Sequence, residues 1–207
     1  MGKRSYIKNM NDVIQKVPFH SQHWDLDNWQ ALGFTSYDDA EYWQRSSCGV
    51  LCLQMTAEYF LHRQFSLIDL IRQGKKISAY TDQTGWSHEG LVRLATSIGL
   101  KAERRVMKAS DIVSAIDQQA IPIISIKWAF DPTKTVIEKV LFWKKYGGHL
   151  AVVVGYRKVE NKVVGFYIHH TSKISEQNWI GRFVPSQTFE RGYTGRAISI
   201  SVPHSVG

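Results

Sequence analysis

Three observations predict an α+β fold. The first part of the chain carries apolar residues at helical spacing, the second carries runs rich in Val, Ile and aromatic residues, and no Pro/Ser/Gly linker, repeat or low-complexity tract separates them. With 207 residues, 43% of them apolar, and seven Trp, a single domain has ample material for a core, and disorder is excluded as a global description. Residues 1–15 are set apart as an N-terminal extension and 16–207 as the one domain.

The elements follow in order. Residues 17–47 hold Trp24, Trp29, Phe34, Tyr37, Tyr42 and Trp43, too many aromatic rings to leave in water, and read as a packed, mostly irregular lead-in. Val50, Leu51, Leu53, Met55 and Tyr59 then predict a helix over about 48–61, with Cys48 at its N-terminus. Ser66 is expected to cap a helix that stops at Gly74, Ser87 one that stops at Gly99, and Ser110 one that runs to about Gln118.

Beyond these the period changes to that of strands. Segments 121–128, 150–156, 163–169 and 197–202 predict an antiparallel sheet, with Glu160-Asn161-Lys162 turning between the second and third. Between the first two strands, Val136, Ile137, Val140 and Leu141 suggest a short amphipathic helix ending at Gly147-Gly148, an insertion at the sheet edge. Phe142, Trp143 and Tyr146 in that insertion are core anchors or a substrate lip, and Gly148 permits close backbone approach.

Composition excludes several function classes. The net charge of +8 is scattered over short pairs, Lys75-Lys76, Arg104-Arg105 and Lys144-Lys145, and not gathered into the basic, aromatic-interleaved tract of a nucleic-acid binder. The N-terminus lacks the apolar stretch of a secretory signal, and no run approaches the ~18 apolar residues of a membrane span, so a cytoplasmic location away from membranes is expected. Cys48 and Cys52, four apart on a helix, do not favour a disulfide. His20, His23, His169 and His170 match no zinc spacing, so neither metal nor other cofactor is expected. Ser87, His88 and Glu89 read as helix capping, and no Gly-x-Ser-x-Gly elbow supports a serine nucleophile.

A nucleophilic thiol needs a route to thiolate, a base and donors for an oxyanion. Cys48 sits where a helix N-terminus favours negative charge, whereas Cys52 lies one turn deeper, without that advantage. His149 heads an otherwise apolar strand and calls for a partner. On the following strand, alternation puts His170 on the face of Ile168 and Phe166, and His169 on the face of Tyr167. A one-residue slip of register would exchange the two.

Taken together, Val17-Pro18-Phe19-His20-Ser21-Gln22, Ser47-Cys48-Gly49 opening a helix, Gln119-Ala120-Ile121-Pro122-Ile123-Ile124-Ser125, Gly148-His149-Leu150-Ala151-Val152-Val153-Val154-Gly155-Tyr156 and Phe166-Tyr167-Ile168-His169-His170 resemble the bacteriocin-processing, double-glycine leader peptidases and their stand-alone relatives, from about residue 16 to 202. The resemblance implies a papain-like cysteine peptidase fold, a helical half packed on an antiparallel β-sheet. It also implies Cys48 as nucleophile, His149 as base and an upstream Gln as oxyanion donor. Gln22 matches by its motif, and Gln44 lies closer to Cys48 but outside the pattern. Where the family has Asp or Asn, this chain has His170 followed by Thr171.

The expected function is thiol-dependent cleavage of a peptide-like amide, with Cys48, His149, His170 and Gln22 catalytic and Gln44, Gly148 and Trp143 lining the substrate site. A neutral imidazole at the third position stabilises an imidazolium less than a carboxylate does. A weakened or inactive peptide-binding adaptor of the same fold is therefore the alternative.

Overall fold

The computed structural model describes residues 9–127, 130 and 149–203. The expected insertion helix over 136–141, and with it Trp143 and Gly148, lies outside the described residues.

Helices dominate the first half: α1 (Tyr37–Ser46), α2 (Cys48–Leu61), α3 (Leu67–Lys76) and α4 (His88–Ser97), with the short hairpin β2 (Tyr80–Thr81) and β3 (Gly85–Trp86) before α4. Strands dominate the second: β4 (Lys101–Val106), β5 (Ile121–Ile126), β6 (His149–Val159), β7 (Lys162–His170), β8 (Trp179–Pro185) and β9 (Tyr193–Ser201). Helix α5 (Ala109–Asp117) lies between β4 and β5, and α6 (Ser186–Gly192) between β8 and β9. The strand β1 (Met10–Ile14), from the stretch set apart as an extension, is also part of the sheet.

The main sheet is antiparallel throughout, in the order β4-β9-β5-β6-β7-β8. The long β6 shares one edge between two partners: β5 pairs with residues 149–152 and β1 with residues 155–159. Gly155 makes the second pairing possible, because a Cβ there would lie 2.1 Å from the Val13 carbonyl oxygen.

Both faces of the sheet are buried, which accounts for the unbroken apolar run of β6. Leu150, Val152 and Val154 pack with Ile121, Ile123 and Ile198 beneath α1 to α4, whereas Ala151 and Val153 pack with Ile124, Phe166 and Ile168 against α5 and α6. Helix α2 is the spine of the first layer, with every residue from Gly49 to Ala57 buried.

The structure corrects several element boundaries. Helix α3 runs past Gly74 to Lys76, because Gly74 is where the Trp86 ring packs and not a stop. Ser110 lies inside α5; the cap is at Lys108, whose N–H donates to the Asp111 carboxylate at 2.7 Å. Strand β5 ends at Ile126 and not at 128. The lead-in contains a full helix, α1, whose cap Ser36 accepts from the Asp39 N–H at 3.1 Å. Ser66 and Ser87 cap α3 and α4 as expected, accepting from the N–H groups of Asp69 and Gly90.

Candidate active site

Cys48 is the first residue of α2, and Ser47, which joins α1 to α2, makes no side-chain capping bond. The first-turn N–H groups therefore stay available at the thiol. Trp86 wedges this junction: its Nε1 donates to the Ser46 carbonyl at 2.8 Å, and a Cβ on Gly49 would come within 2.7 Å of it. The N–H groups of Leu150, Gly49 and Cys48 itself all pull the Cys48 thiol pKa down, but burial outweighs them and pushes it up. That is a correction, since the helix N-terminus alone predicts a lowered value. Cys52 is wholly buried, its thiol pushed well up by burial and then by the charge of Cys48.

The Leu150 N–H brings the thiol to the residue after His149. His149 Nε2 lies 2.9 Å from the Thr171 carbonyl oxygen. A carbonyl only accepts, so Nε2 carries the proton and Nδ1 is the basic nitrogen. The hydrogen bond on His149 Nε2 thus runs to the main chain just after β7 and not to a carboxylate. His170 lies against His149 with ring centroids 4.6 Å apart, and against Trp179 at 5.0 Å. Its Nδ1 donates to the Gln177 carbonyl at 2.6 Å.

Register decides between the two histidines of β7. His170 turns to His149, while His169 donates from Nε2 to the Val17 carbonyl at 3.0 Å and accepts at Nδ1 from the Gly181 N–H at 2.8 Å. With both nitrogens of His169 committed, burial holds its pKa below the ordinary 6.5. Asn178 ties the loop after Thr171 into shape, accepting from the Ser172 N–H at 2.9 Å and donating to the Ser172 and Ile174 carbonyls at 2.9 and 3.1 Å.

Gln22 is buried, and its side chain makes no hydrogen bond among the described residues. Its neighbours bracket it between the two walls. His23 Nδ1 lies 2.8 Å from the Lys173 carbonyl, on the His149 side, and the Trp24 carbonyl accepts from Gln44 Nε2 at 2.7 Å, on the helix leading to Cys48. Gln44 therefore uses one amide N–H to hold the lead-in.

A groove of about 760 Å³ extends from Cys48 over Leu150, Ser125, Arg104 and Arg196 on the sheet side. The β2–β3 hairpin and the start of α4, with His88 and Glu89, form its other side. His88, read from the sequence as part of a helix cap, and Ser125, given no role there, join at 2.7 Å through His88 Nε2. They are 37 residues apart, and only the strand period of 121–126, which puts Ser125 on the face of Ile123, offered a signal. Among the described residues no cluster of His, Cys, Asp and Glu fits a metal ion, and no helix is long and apolar enough to cross a membrane.

The family model described as the Peptidase C39 family matches residues 42–204. The chain belongs to the peptidase C39 family. This is a family of cysteine peptidases, and the expected papain-like architecture holds. A double glycine motif protease from an AMS/PCAT transporter, solved in complex with the leader peptide, resembles it with a TM-score of 0.54 at 16% identity, over 92% of this chain and 94% of that one. The peptidase domain of Streptococcus ComA, a bi-functional ABC transporter involved in a quorum sensing pathway, does so with a TM-score of 0.53 at 17% identity, over 76% and 93% of the two chains. At such identities the likeness is one of fold. No curated protein matches the sequence.

Proposed function

We propose that this C39 family member is a thiol-dependent peptidase whose working pair is Cys48 and His149. The observation that carries the reading is the junction of α2 and β6: Cys48 and Leu150 face the same groove, the Leu150 N–H pulls the thiol pKa down, and the adjacent His149 has its Nε2 proton on the Thr171 carbonyl. His149 Nδ1 takes the thiol proton, and Sγ attacks the substrate carbonyl carbon. The oxyanion is held by the Cys48 N–H and by Gln22 Nε2, in keeping with a buried Gln22 side chain whose oxygen has no hydrogen-bond partner among the described residues. His149 returns the proton to the leaving amine, leaving a thioester. Water then attacks the thioester, giving its proton to His149, and the C–S bond breaks to regenerate the thiol. Gln44, already bonded to Trp24, supports this wall instead of donating to substrate. His170 is a positioning residue that packs the His149 ring from the side.

Peptide substrates follow from the chemistry, and small residues such as Gly-Gly before the scissile bond are the first to try. Both cysteines are free thiols, in keeping with a cytoplasmic location. Peptides carrying Gly-Gly, incubated with the wild type and with Cys48→Ala and followed by mass spectrometry, test the reading. Products formed by the wild type alone support it. Uncleaved peptides that still bind both proteins favour the adaptor, a reading to which the raised thiol pKa and a carbonyl in place of a carboxylate on His149 also point.

A further inference from the structure

We infer that the groove beyond Cys48 contains a subsite for a substrate carboxylate, received by Arg196 with the His88–Ser125 pair, an inference that rests on the peptidase reading and gives the substrate its class. Five charged side chains line this groove: Arg45, Arg104, Arg196, Asp82 and Glu89. Four of them are already engaged. Arg104 donates to Glu89 at 2.8 Å, Arg45 to Glu41 at 2.5 Å, and Asp82 accepts from the Tyr42 hydroxyl at 2.6 Å. Arg196, exposed on β9, is in no ion pair among the described residues, whereas the Asp82 carboxylate is held by the neutral Tyr42 hydroxyl on the hairpin side of the groove, so Arg196 is the groove's cation without a carboxylate partner.

The floor beside it adds directed donors. Ser125 is 2% exposed and lies opposite Leu150 in the β5–β6 register, one strand from the backbone that touches the Cys48 thiol. Burial and the charges of Arg196 and Arg104 keep His88 neutral. In a neutral pair joined through Nε2 and a hydroxyl, one donor always remains. If Nε2–H donates to Ser125, the hydroxyl proton is left over; if the hydroxyl donates, Nδ1–H is left over. A guanidinium and a neutral donor beside a water-poor floor suit a carboxylate, which accepts through both oxygens, and disfavour an ammonium group. The carboxylate can be an internal Asp or Glu side chain or the free C-terminus of a peptide.

The test uses matched peptide sets cut by the wild type: Glu against Gln near the scissile bond, and free-acid against amidated C-termini. The kcat/KM ratio of acid to amide should favour one acid form on the order of tenfold. That ratio should fall to near one in Arg196→Gln and reverse in favour of Lys peptides in Arg196→Glu. Which set shows the preference identifies the source of the carboxylate. Equal rates for acid and amide in both sets overturn the subsite while leaving the peptidase standing. If the wild type cuts none of the peptides, the peptidase reading fails on its own. Anisotropy of the same fluorescent peptides on the wild-type chain then decides the subsite: acid-selective binding lost in Arg196→Gln supports it, and equal binding overturns it.

Discussion

The wall that carries Cys48 is built from neighbours in sequence, and the wall that carries His149 from segments brought together across the chain. On the cysteine side, α1 runs through Ser47 into α2, and the thiol collects N–H groups from its own first turn. On the histidine side, the ring depends on Thr171, 22 residues on, whose loop is held by Asn178 and by His23 on Lys173, 150 residues away in sequence. A nucleophile fixed by a local helix tolerates change nearby, whereas a base fixed by a loop is sensitive to changes that never touch it.

The strongest way to break this comparison is to remove each member of the pair. Cys48→Ala and His149→Ala should each lower kcat/KM by at least about 10⁴-fold, measured on the best peptide substrate, with folding preserved by circular dichroism. The two glutamines sharpen it next. Gln22→Ala should cost kcat on the order of 10²-fold, as loss of one oxyanion donor does, with little change in the unfolding midpoint. Gln44→Ala should do the reverse, lowering stability by about 1 kcal/mol through the lost bond to Trp24.

A smaller effect is expected at Asn178, which touches neither reacting group. Asn178→Ala should lower kcat about tenfold and shift the acid limb of the pH–rate profile, because the carbonyl that orients His149 is no longer held in place. The smallest effect comes from the two histidines with depressed pKa values, His169 and His88. In the unfolded chain each takes up a proton near pH 6.5, while in the folded chain each stays neutral to lower pH. The stability they contribute is thus present above that pH and is lost as pH falls from it through the folded-state values. Urea unfolding midpoints should drop over this range, and the drop should be shallower in His88→Gln.

The sequence revealed the cysteine wall more fully than the histidine wall, for physical reasons. The bounds of α2 followed from apolar spacing and matched at 48 and 61, and the β6–β7 hairpin followed from Val/Ile runs around Glu160 and Asn161, both of which take positive φ. Strand β4 was missed because Lys101, Glu103, Arg104 and Arg105 belong to an exposed edge strand without a buried face to set a period. The hydrogen-bond partner of His149 was out of reach for a different reason: it is a main-chain carbonyl, and any residue at 171 supplies one. Alternation put His170 and His169 on opposite faces without fixing the register, the resemblance pointed to His170, and His170 does lie against His149.

The most direct test of the Cys48–His149 pair is the pH dependence of iodoacetamide alkylation at Cys48, resolved from Cys52 by peptide mass, in the wild type and in His149→Ala. The account predicts fast reaction of wild-type Cys48 well below the free-thiol pKa of ~8.5. In His149→Ala that reaction should be lost and the titration displaced upward, because the imidazolium that stabilises the thiolate is gone. Identical titration curves for the two proteins would contradict it, leaving Cys48 a half-buried thiol with no working base.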